Sequence, residues 1–133
     1  MLLFCCDNNA ALSPMAEAIC RHLEPDMTVQ SAGSYSSHIR SDGKKVLAEI
    51  DVDSYGLRSK DLFGVDFDWV ELVVLLCSDS DAPKLPSRLS VRRWAMPDPQ
   101  CAPDSERRES YRALRDDLML RIPRLLAEIG GQQ

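Results

Sequence analysis

The stretch "FCCDNNAALSPMAEA" covers residues 4–18 and decides the fold that we expect for the chain. Its apolar start reaches back to Met1 and is typical of a strand buried in a parallel sheet. A polar loop follows, and Ser13 and Pro14 then favour the cap and the first position of a helix. A strand, a tight loop and a capped helix form an anion site, because unpaired backbone N–H groups and the helix dipole point at one spot.

Three residues of this stretch carry candidate chemistry. Cys6 ends the strand just before the anion spot, where we expect a lowered pKa and a ready nucleophile. Asn9 suits a left-handed position within the loop. Ser13, besides capping the helix, is expected to donate a hydrogen bond to the thiolate. The alternative stays open that Cys6 only packs as a small apolar residue and that Ser13 is only a cap.

Strands and helices are predicted to alternate along the rest of the chain. Further strands are predicted at residues 27–31, 70–77 and 91–96. Helices are predicted at residues 13–23, 43–50 and 78–86, and from residue 105 onward. Pro123 lies inside the last helical pattern and is expected to kink or split it. The run "VELVVLLC" at residues 70–77 is predicted to be a central strand, buried on both faces.

This alternation predicts one α/β domain over residues 1–133, with a parallel sheet and helices on both faces. The active cleft of such a sheet lies at the carboxyl ends of the strands. The loops after Cys6 and Cys77 and the segment "PDPQCAPD" at 97–104 should meet there. Asp98, between two prolines, is the candidate general acid. An Asp-Pro pair that only forms a turn is the alternative.

Composition excludes several classes of function. With 133 residues, a net charge of −5 and no basic stripe, the chain is not expected to bind nucleic acid. No apolar run is long enough to span a bilayer, and the start lacks the features of a signal peptide, so we expect a cytoplasmic protein. Five cysteines without a CxxC pair indicate free thiols. Two histidines, far apart in sequence, suggest no metal, and no cofactor is predicted.

The stretch "LLFCCDNNAALSPMAEA" at 2–18 resembles the start of the low-molecular-weight protein tyrosine phosphatases, whose relatives include thioredoxin-coupled arsenate reductases. Their loop reads C-x5-R-S, so Cys6 matches the nucleophile and Ser13 the serine that supports the thiolate. The resemblance continues in "SAG" at 31–33, "LRSKDL" at 57–62, "RRWAMPDP" at 92–99 and "YRALRDDLMLRI" at 111–122. It implies a three-layer, flavodoxin-like fold with a four-stranded parallel sheet, and Asp98 as the general acid.

The family's loop arginine is replaced here by Leu12. The resemblance implies a substrate-binding loop of Asp7, Asn8, Asn9, Ala10, Ala11, Leu12 and Ser13. Leucine cannot replace a planar donor that makes two parallel hydrogen bonds to a phosphoryl group. By analogy with other arginines at phosphoryl-transfer sites, its loss should cost about 10³–10⁵ in rate. Asp7 adds a negative charge where a dianion would bind.

Our leading hypothesis is therefore a catalytically impaired pseudophosphatase. It would act as a binding or regulatory module, with a phosphoprotein or another protein partner, or an oxyanion, in the former active cleft. The main alternative is an active phosphomonoester hydrolase with an unusual substrate, a phosphocysteine at Cys6 and Asp98 as acid. That enzyme would need a replacement cation, for which the candidates are Arg58, Arg88, Arg92 and Arg93.

A thiol-based, arsenate-reductase-like enzyme is the third hypothesis. The resemblance implies two further cysteines after the third strand, and Cys77 matches the first of them. The second position holds Lys84. A redox role would involve Cys5, Cys6 and Cys77, and packing of Cys5 and Cys77 in the core is the alternative. The phosphatases also carry aromatic residues after the Asp-Pro pair, where this chain has Gln100 and Cys101.

Overall fold

A computed structural model describes residues 1–78 and 82–130 of the chain. The strands are β1 (Leu2–Cys6), β2 (Val29–Gly33), β3 (Leu72–Leu75) and β4 (Ser90–Arg93). They form one parallel sheet in the order β2-β1-β3-β4. The α-helices are α1 (Leu12–Leu23), α2 (Ser41–Ala48) and α3 (Arg107–Gly130). None of the helices described is long and apolar enough to cross a membrane.

The centre of the sheet consists of the most apolar strands, β1 and β3. Cys5 lies opposite Ala32 of β2 on one side and Leu75 of β3 on the other. Val73 and Val74 of β3 are completely buried, which confirms the central position predicted for this strand. The expected four-stranded parallel sheet of a flavodoxin-like α/β fold is likewise confirmed.

Apolar side chains pack on both faces of the sheet. On one face the three α-helices cover a large core that includes Phe4, Met15 and Leu118. On the other face Leu3 and Leu75 belong to a smaller core. Among the residues described, this smaller core is covered by short 3₁₀ turns, at Leu62–Gly64 and Phe67–Trp69, and by irregular chain. The predicted helical layers on both faces are therefore very unequal, because among the elements described all three α-helices lie on one face and only 3₁₀ turns lie on the other.

The fourth strand is shorter at its end than predicted. It was expected at residues 91–96 but spans Ser90–Arg93. The Trp94 N–H still donates to the Leu75 carbonyl at 2.7 Å, and the Met96 N–H donates to the Leu76 carbonyl at 3.1 Å. The chain therefore follows β3 as far as Met96, although its regular strand geometry ends three residues earlier.

The helices also differ from their predicted limits. The last helix is not split at Pro123, because it packs through Tyr111, Leu118 and Leu125 on both sides of that exposed proline. The second helix begins two residues before the predicted start at 43. Of the helix predicted at 78–86, residues 79–81 lie outside the described part, and residues 82–86 are irregular.

Candidate functional site

The candidate site is the loop at residues 7–11, between the end of β1 and the start of α1. Cys6 is the last residue of β1 and Leu12 is the first of α1. All four strands are parallel, so this loop lies at their carboxyl ends, where clefts of such sheets are found. The structure therefore brings the predicted loop residues to the expected edge of the sheet.

Asn9 determines the shape of the loop. Its φ of 49° lies in the left-handed region, as the sequence predicted, and its side chain is completely buried. The Asn9 amide donates to the Ser13 hydroxyl at 2.9 Å, and its carbonyl oxygen accepts from the Lys60 N–H at 2.7 Å. One side chain therefore ties the loop to α1 and to the chain near residue 60.

The predicted contact between Cys6 and Ser13 is present. The Cys6 Sγ and Ser13 Oγ atoms are 2.8 Å apart, and both side chains are buried. The Ser13 hydroxyl makes no capping hydrogen bond, so its predicted role as a helix cap is wrong. The helix instead begins at Leu12, with Ala11 as its cap residue. The Ser13 hydroxyl instead contacts the Cys6 sulfur and accepts a hydrogen bond from the Asn9 amide.

The expected lowering of the Cys6 pKa is also wrong. Burial raises the pKa of this thiol above its ordinary value. Hydrogen bonds from Ser13 and from the Asn9 N–H lower it, and the charge of Asp7 raises it further. A loop shaped for a thiolate therefore holds a thiol near neutral pH, because desolvation outweighs the donors around the sulfur.

The wall of the loop is apolar where the family carries its arginine. Leu12 is only 4% exposed and packs in the large core with Met15 and Ala16. Ala10 and Ala11 are buried as well. None of these three side chains can donate a hydrogen bond to an anion.

The polar residues of the loop are engaged in shaping it. The Asn8 N–H donates to the Asp7 carboxylate at 2.8 Å. The Asn8 carbonyl accepts from the Ser59 hydroxyl at 3.1 Å. Asp7 is half-buried, so its negative charge lies at the rim of the loop, next to the thiol.

The four arginines considered as replacements do not share one location. Arg88 and Arg92 are held by exposed carboxylates at 3.2 and 2.8 Å. Arg92 lines a cavity with Met1, at the amino ends of the strands and away from the loop. Arg93 is exposed on β4, and Arg58 is exposed just before Ser59.

Sequence reasoning missed Arg40. Its backbone N–H donates to the carbonyl of Ala10 at 3.1 Å, which holds this residue against the loop. The guanidinium contacts the His38 ring at 2.8 Å. No sequence signal could have identified Arg40, because it lies in an irregular polar segment thirty positions from the residue that it contacts.

A buried carboxylate supports the segment that holds the loop; the resemblance matched Glu17 to the start of the helix but did not indicate this role. Glu17 is 1% exposed and accepts from the Ser31 hydroxyl at 2.7 Å. It also forms ion pairs with Arg21 and, at 3.5 Å, with Lys60. Since the Lys60 N–H holds Asn9, this cluster fixes the segment that fixes the loop.

Asp98 follows β4 and is half-buried. Its carboxylate accepts from the Gln100 N–H at 2.9 Å and so caps the short 3₁₀ turn at Pro99–Cys101. It also lines a cavity of about 400 Å³ under the start of α3. The turn-forming interpretation of Asp-Pro is therefore correct, and the role of Asp98 as an acid stays a prediction.

The cysteines divide between the two sides of the sheet. Cys6 belongs to the large core and Cys5 to the small one. The pKa of Cys5 is raised, and burial is the largest cause. The charges of Cys6 and Cys77 raise this pKa further, so Cys77 lies within electrostatic reach of Cys5. Cys77 is half-buried just beyond β3, and Cys101 is exposed.

Gly33 lies so close to the loop that no side chain fits there. A methyl group on Gly33 would lie 2.7 Å from the Asp7 carbonyl oxygen and 2.8 Å from the Asn9 nitrogen. Both are backbone atoms and cannot rotate away. We expect Gly33→Ala to lower the free energy of unfolding by about 2 kcal/mol, measured by urea denaturation.

Gly64→Ala is the matched control for that substitution, because nothing lies within 4 Å of the methyl group that it would add. Gly64→Ala should change the free energy of unfolding much less than Gly33→Ala. If the two alanine variants were equally stable, the close approach of β2 to the loop would be contradicted.

Comparison with known proteins agrees with this geometry. A family model described as low molecular weight phosphotyrosine protein phosphatase matches residues 1–133. An arsenate reductase of Staphylococcus xylosus is 31% identical over 124 residues, which cover 91% of this chain and 92% of that protein. A second arsenate reductase, from Staphylococcus aureus, is 29% identical over the same shares of the two chains.

Solved structures of similar fold also belong to proteins of these kinds. One is described as an arsenate reductase in the phosphate binding state, with 26% identity, a TM-score of 0.83 and coverage of 96% of this chain and 97% of that chain. The YwlE arginine phosphatase from Geobacillus stearothermophilus is 27% identical, with a TM-score of 0.76 and coverage of 99% and 94%. Similar proteins therefore include both reductases and phosphatases.

Proposed function

Because the chain belongs to the low molecular weight phosphotyrosine protein phosphatase family, we propose that it is a catalytically impaired member that acts as a binding or regulatory module. A phosphoprotein or another protein partner would occupy the former catalytic cleft. The single observation that carries this proposal is the apolar wall of the loop, where Leu12 is buried in the core.

Charge strengthens the argument from Leu12. At about 5 Å and an effective dielectric constant of about 20, two unit charges interact by about 3 kcal/mol. The loop has lost one positive charge at Leu12 and carries a negative one at Asp7, both close to where a dianion would bind. Backbone amides alone do not offset a change of two charges, so tight binding of a phosphate dianion in the loop is not expected.

The thiol supports the same proposal. A phosphocysteine forms by attack of a thiolate, and the buried Cys6 thiol has a raised pKa. Near neutral pH most Cys6 side chains would be protonated and poor nucleophiles.

Exposed aromatic residues beside the loop support a protein partner. The Tyr35 N–H donates to the Asp7 carbonyl at 3.2 Å, and 55% of this tyrosine is exposed. Phe63 is 99% exposed and lines a small cavity near the segment that follows β2. Aromatic residues are enriched in the buried centres of protein interfaces, so these two side chains are suited to contact a partner.

The test is hydrolysis of p-nitrophenyl phosphate by wild type and by Cys6→Ser. We expect equal, background rates for the two proteins over a range of pH that includes alkaline values. Fast turnover that depends on Cys6 would instead establish an active phosphomonoester hydrolase. Circular dichroism of both proteins excludes misfolding as the cause of low rates.

A second candidate is a thiol-based reductase of arsenate. Both curated relatives reported above are named arsenate reductases, and Cys77 lies within electrostatic reach of Cys5, the neighbour of Cys6 in the chain. Formation of one disulfide from two thiols releases two electrons, which is what reduction of arsenate to arsenite consumes. A dithiol protein of the thioredoxin class would then have to reduce that disulfide again. The missing second cysteine, at Lys84, and the missing arginine weigh against this candidate.

Incubation with arsenate followed by mass spectrometry tests the reductase. The impaired module predicts neither arsenite nor a crosslink between Cys6 and Cys77. A Cys6–Cys77 disulfide that appears with arsenate, is absent with phosphate and is lost in Cys77→Ala would favour the reductase. Cys101→Ala is the control, because that exposed cysteine plays no part in the proposed step.

A further inference from the structure

Three buried donor atoms lack a hydrogen-bond partner within residues 1–78 and 82–130. They are the Nε atoms of Arg40 and Arg107 and the hydroxyl of Tyr111. Among the side-chain nitrogen and oxygen atoms that the structure describes, these three are the complete set of buried atoms without a partner. Tyr111 as a whole is 0% exposed, so bulk water does not reach its hydroxyl. Buried donors require an acceptor, and this set is concentrated in one region of the molecule.

The three residues lie near the starts of α2 and α3. Arg107 and Tyr111 are four residues apart in α3 and so lie on one face of that helix. Arg40 is the cap residue of α2. A methyl group on Gly43, in the first turn of α2, would lie 3.6 Å from the Tyr111 ring. The phenol therefore lies between the two helix starts, with one arginine beside it on each helix.

The charges around Tyr111 include both signs. Besides burial, Asp98 and Asp42 raise the pKa of the phenol, and Arg40 and Arg107 lower it. The Asp42 carboxylate is paired with an arginine of α3 at 3.1 Å, and the Arg107 guanidinium is paired with an exposed aspartate at 2.7 Å. Within the described chain the Arg40 guanidinium forms no ion pair with a carboxylate, and the Asp98 carboxylate forms no ion pair with a basic side chain. A ligand here therefore meets one uncompensated positive charge, three donors and one nearby carboxylate.

From this arrangement we infer that Arg40, Arg107 and Tyr111 form a binding pocket for a tetrahedral oxyanion of the phosphate class. Two guanidinium groups and a phenol offer donors only to an acceptor-rich ligand, and guanidinium groups suit phosphate oxygens. The nearby Asp98 carboxylate disfavours a dianion and can accept from a protonated oxygen, so the preferred ligand carries a single negative charge. The pocket goes beyond the proposed function, because it does not depend on whether the loop is catalytic.

The pocket is also next to the loop. The hydrogen bond from the Arg40 N–H to the Ala10 carbonyl holds the backbone of this residue against the loop, so an arginine lies next to the loop although none lies within it. A free phosphate ion and a phosphate group carried by a partner protein offer the same chemistry. Either can occupy this pocket while the loop itself stays empty.

Titration calorimetry of the full chain with inorganic phosphate tests the inference. We expect saturable binding that is stronger near pH 6 than near pH 8, because phosphate loses its second proton at about pH 7. Arg40→Gln should weaken binding about tenfold or more, as expected for loss of a charged donor. Tyr111→Phe should also weaken it, although the phenylalanine variant should be no less stable without phosphate. This second variant separates the pocket from the loop, because the Tyr111 hydroxyl forms no hydrogen bond with any loop residue described.

Arg124→Gln is the matched control, since this exposed arginine lies at the far end of α3. It should bind phosphate as wild type does. Absence of saturable binding at millimolar phosphate, or equal weakening in the control, would overturn the inference and leave water as the acceptor of the three donors. Phenyl phosphate distinguishes the two sources: tighter binding than inorganic phosphate indicates a phosphate carried by a partner, and weaker binding indicates a free ion. Catalytic impairment is judged separately, by the turnover of wild type and Cys6→Ser.

Discussion

Replacing Leu12 with arginine and Asp7 with glycine should raise the rate of p-nitrophenyl phosphate hydrolysis by about 10³-fold or more. The scaffold for the reaction is already present, because Cys6 and Ser13 are 2.8 Å apart and Asn9 holds the loop in its left-handed turn. What the loop lacks is a donor that binds two phosphoryl oxygens and stabilises negative charge in the transition state. The arginine supplies that donor, and the glycine removes the opposing charge.

The single variants divide this effect between the two positions. Leu12→Arg alone should recover part of the activity, and Asp7→Gly alone little of it. Leu12→Met is the control for packing, because it keeps an apolar side chain of similar volume in the core. Adding Cys6→Ser to the repaired protein should abolish the gain. If wild type already hydrolysed the substrate as fast as the repaired protein, the proposed impairment would be wrong.

Asn9→Ala should lower the free energy of unfolding by about 3 kcal/mol, a large share of the stability of a domain of this size. The alanine loses two buried hydrogen bonds, with the Ser13 hydroxyl and the Lys60 N–H. It must also adopt a φ of 49°, which costs an alanine about 1 kcal/mol or more. Urea denaturation measures the total loss in the free energy of unfolding.

Two further variants separate the causes of that loss. Asp51 has a similar φ of 60° but is exposed, so Asp51→Ala reports the cost of the backbone conformation with few other effects. Asn9→Gly adopts the positive φ without strain, so its loss of stability reports the loss of the hydrogen bonds. Equal losses of stability in Asn9→Ala and Asp51→Ala would contradict the role given to the asparagine side chain.

Sequence patterns predicted the sheet well because its strands are chemically distinct. Residues 1–6 and 70–77 are almost entirely apolar, and such runs flanked by turn residues have few alternatives to buried parallel strands. Asn9 was also predicted correctly, since asparagine tolerates the left-handed conformation. The end of the fourth strand was predicted wrongly, because its hydrogen bonds to the neighbouring chain continue beyond its regular geometry.

The site was predicted only in part, because its electrostatics depend on distant residues. Ser13 was assigned to the helix start, although the thiol and Asn9 compete for the same hydroxyl. The pKa of Cys6 was expected to fall, but burial outweighs the nearby donors. Arg40 and Tyr111 lie near the starts of two helices far apart in sequence, so no local pattern indicates them.

The ion pair between Glu17 and Lys60 and the hydrogen bond between Lys60 and Asn9 also affect how other sequences of this family should be interpreted. These contacts support the loop whether or not a reaction takes place there. Selection for thermodynamic stability alone is enough to preserve them after turnover has been lost. An intact cysteine, asparagine and serine in a newly sequenced relative is therefore poor evidence for an enzyme, and the residue just before the serine is the one to inspect.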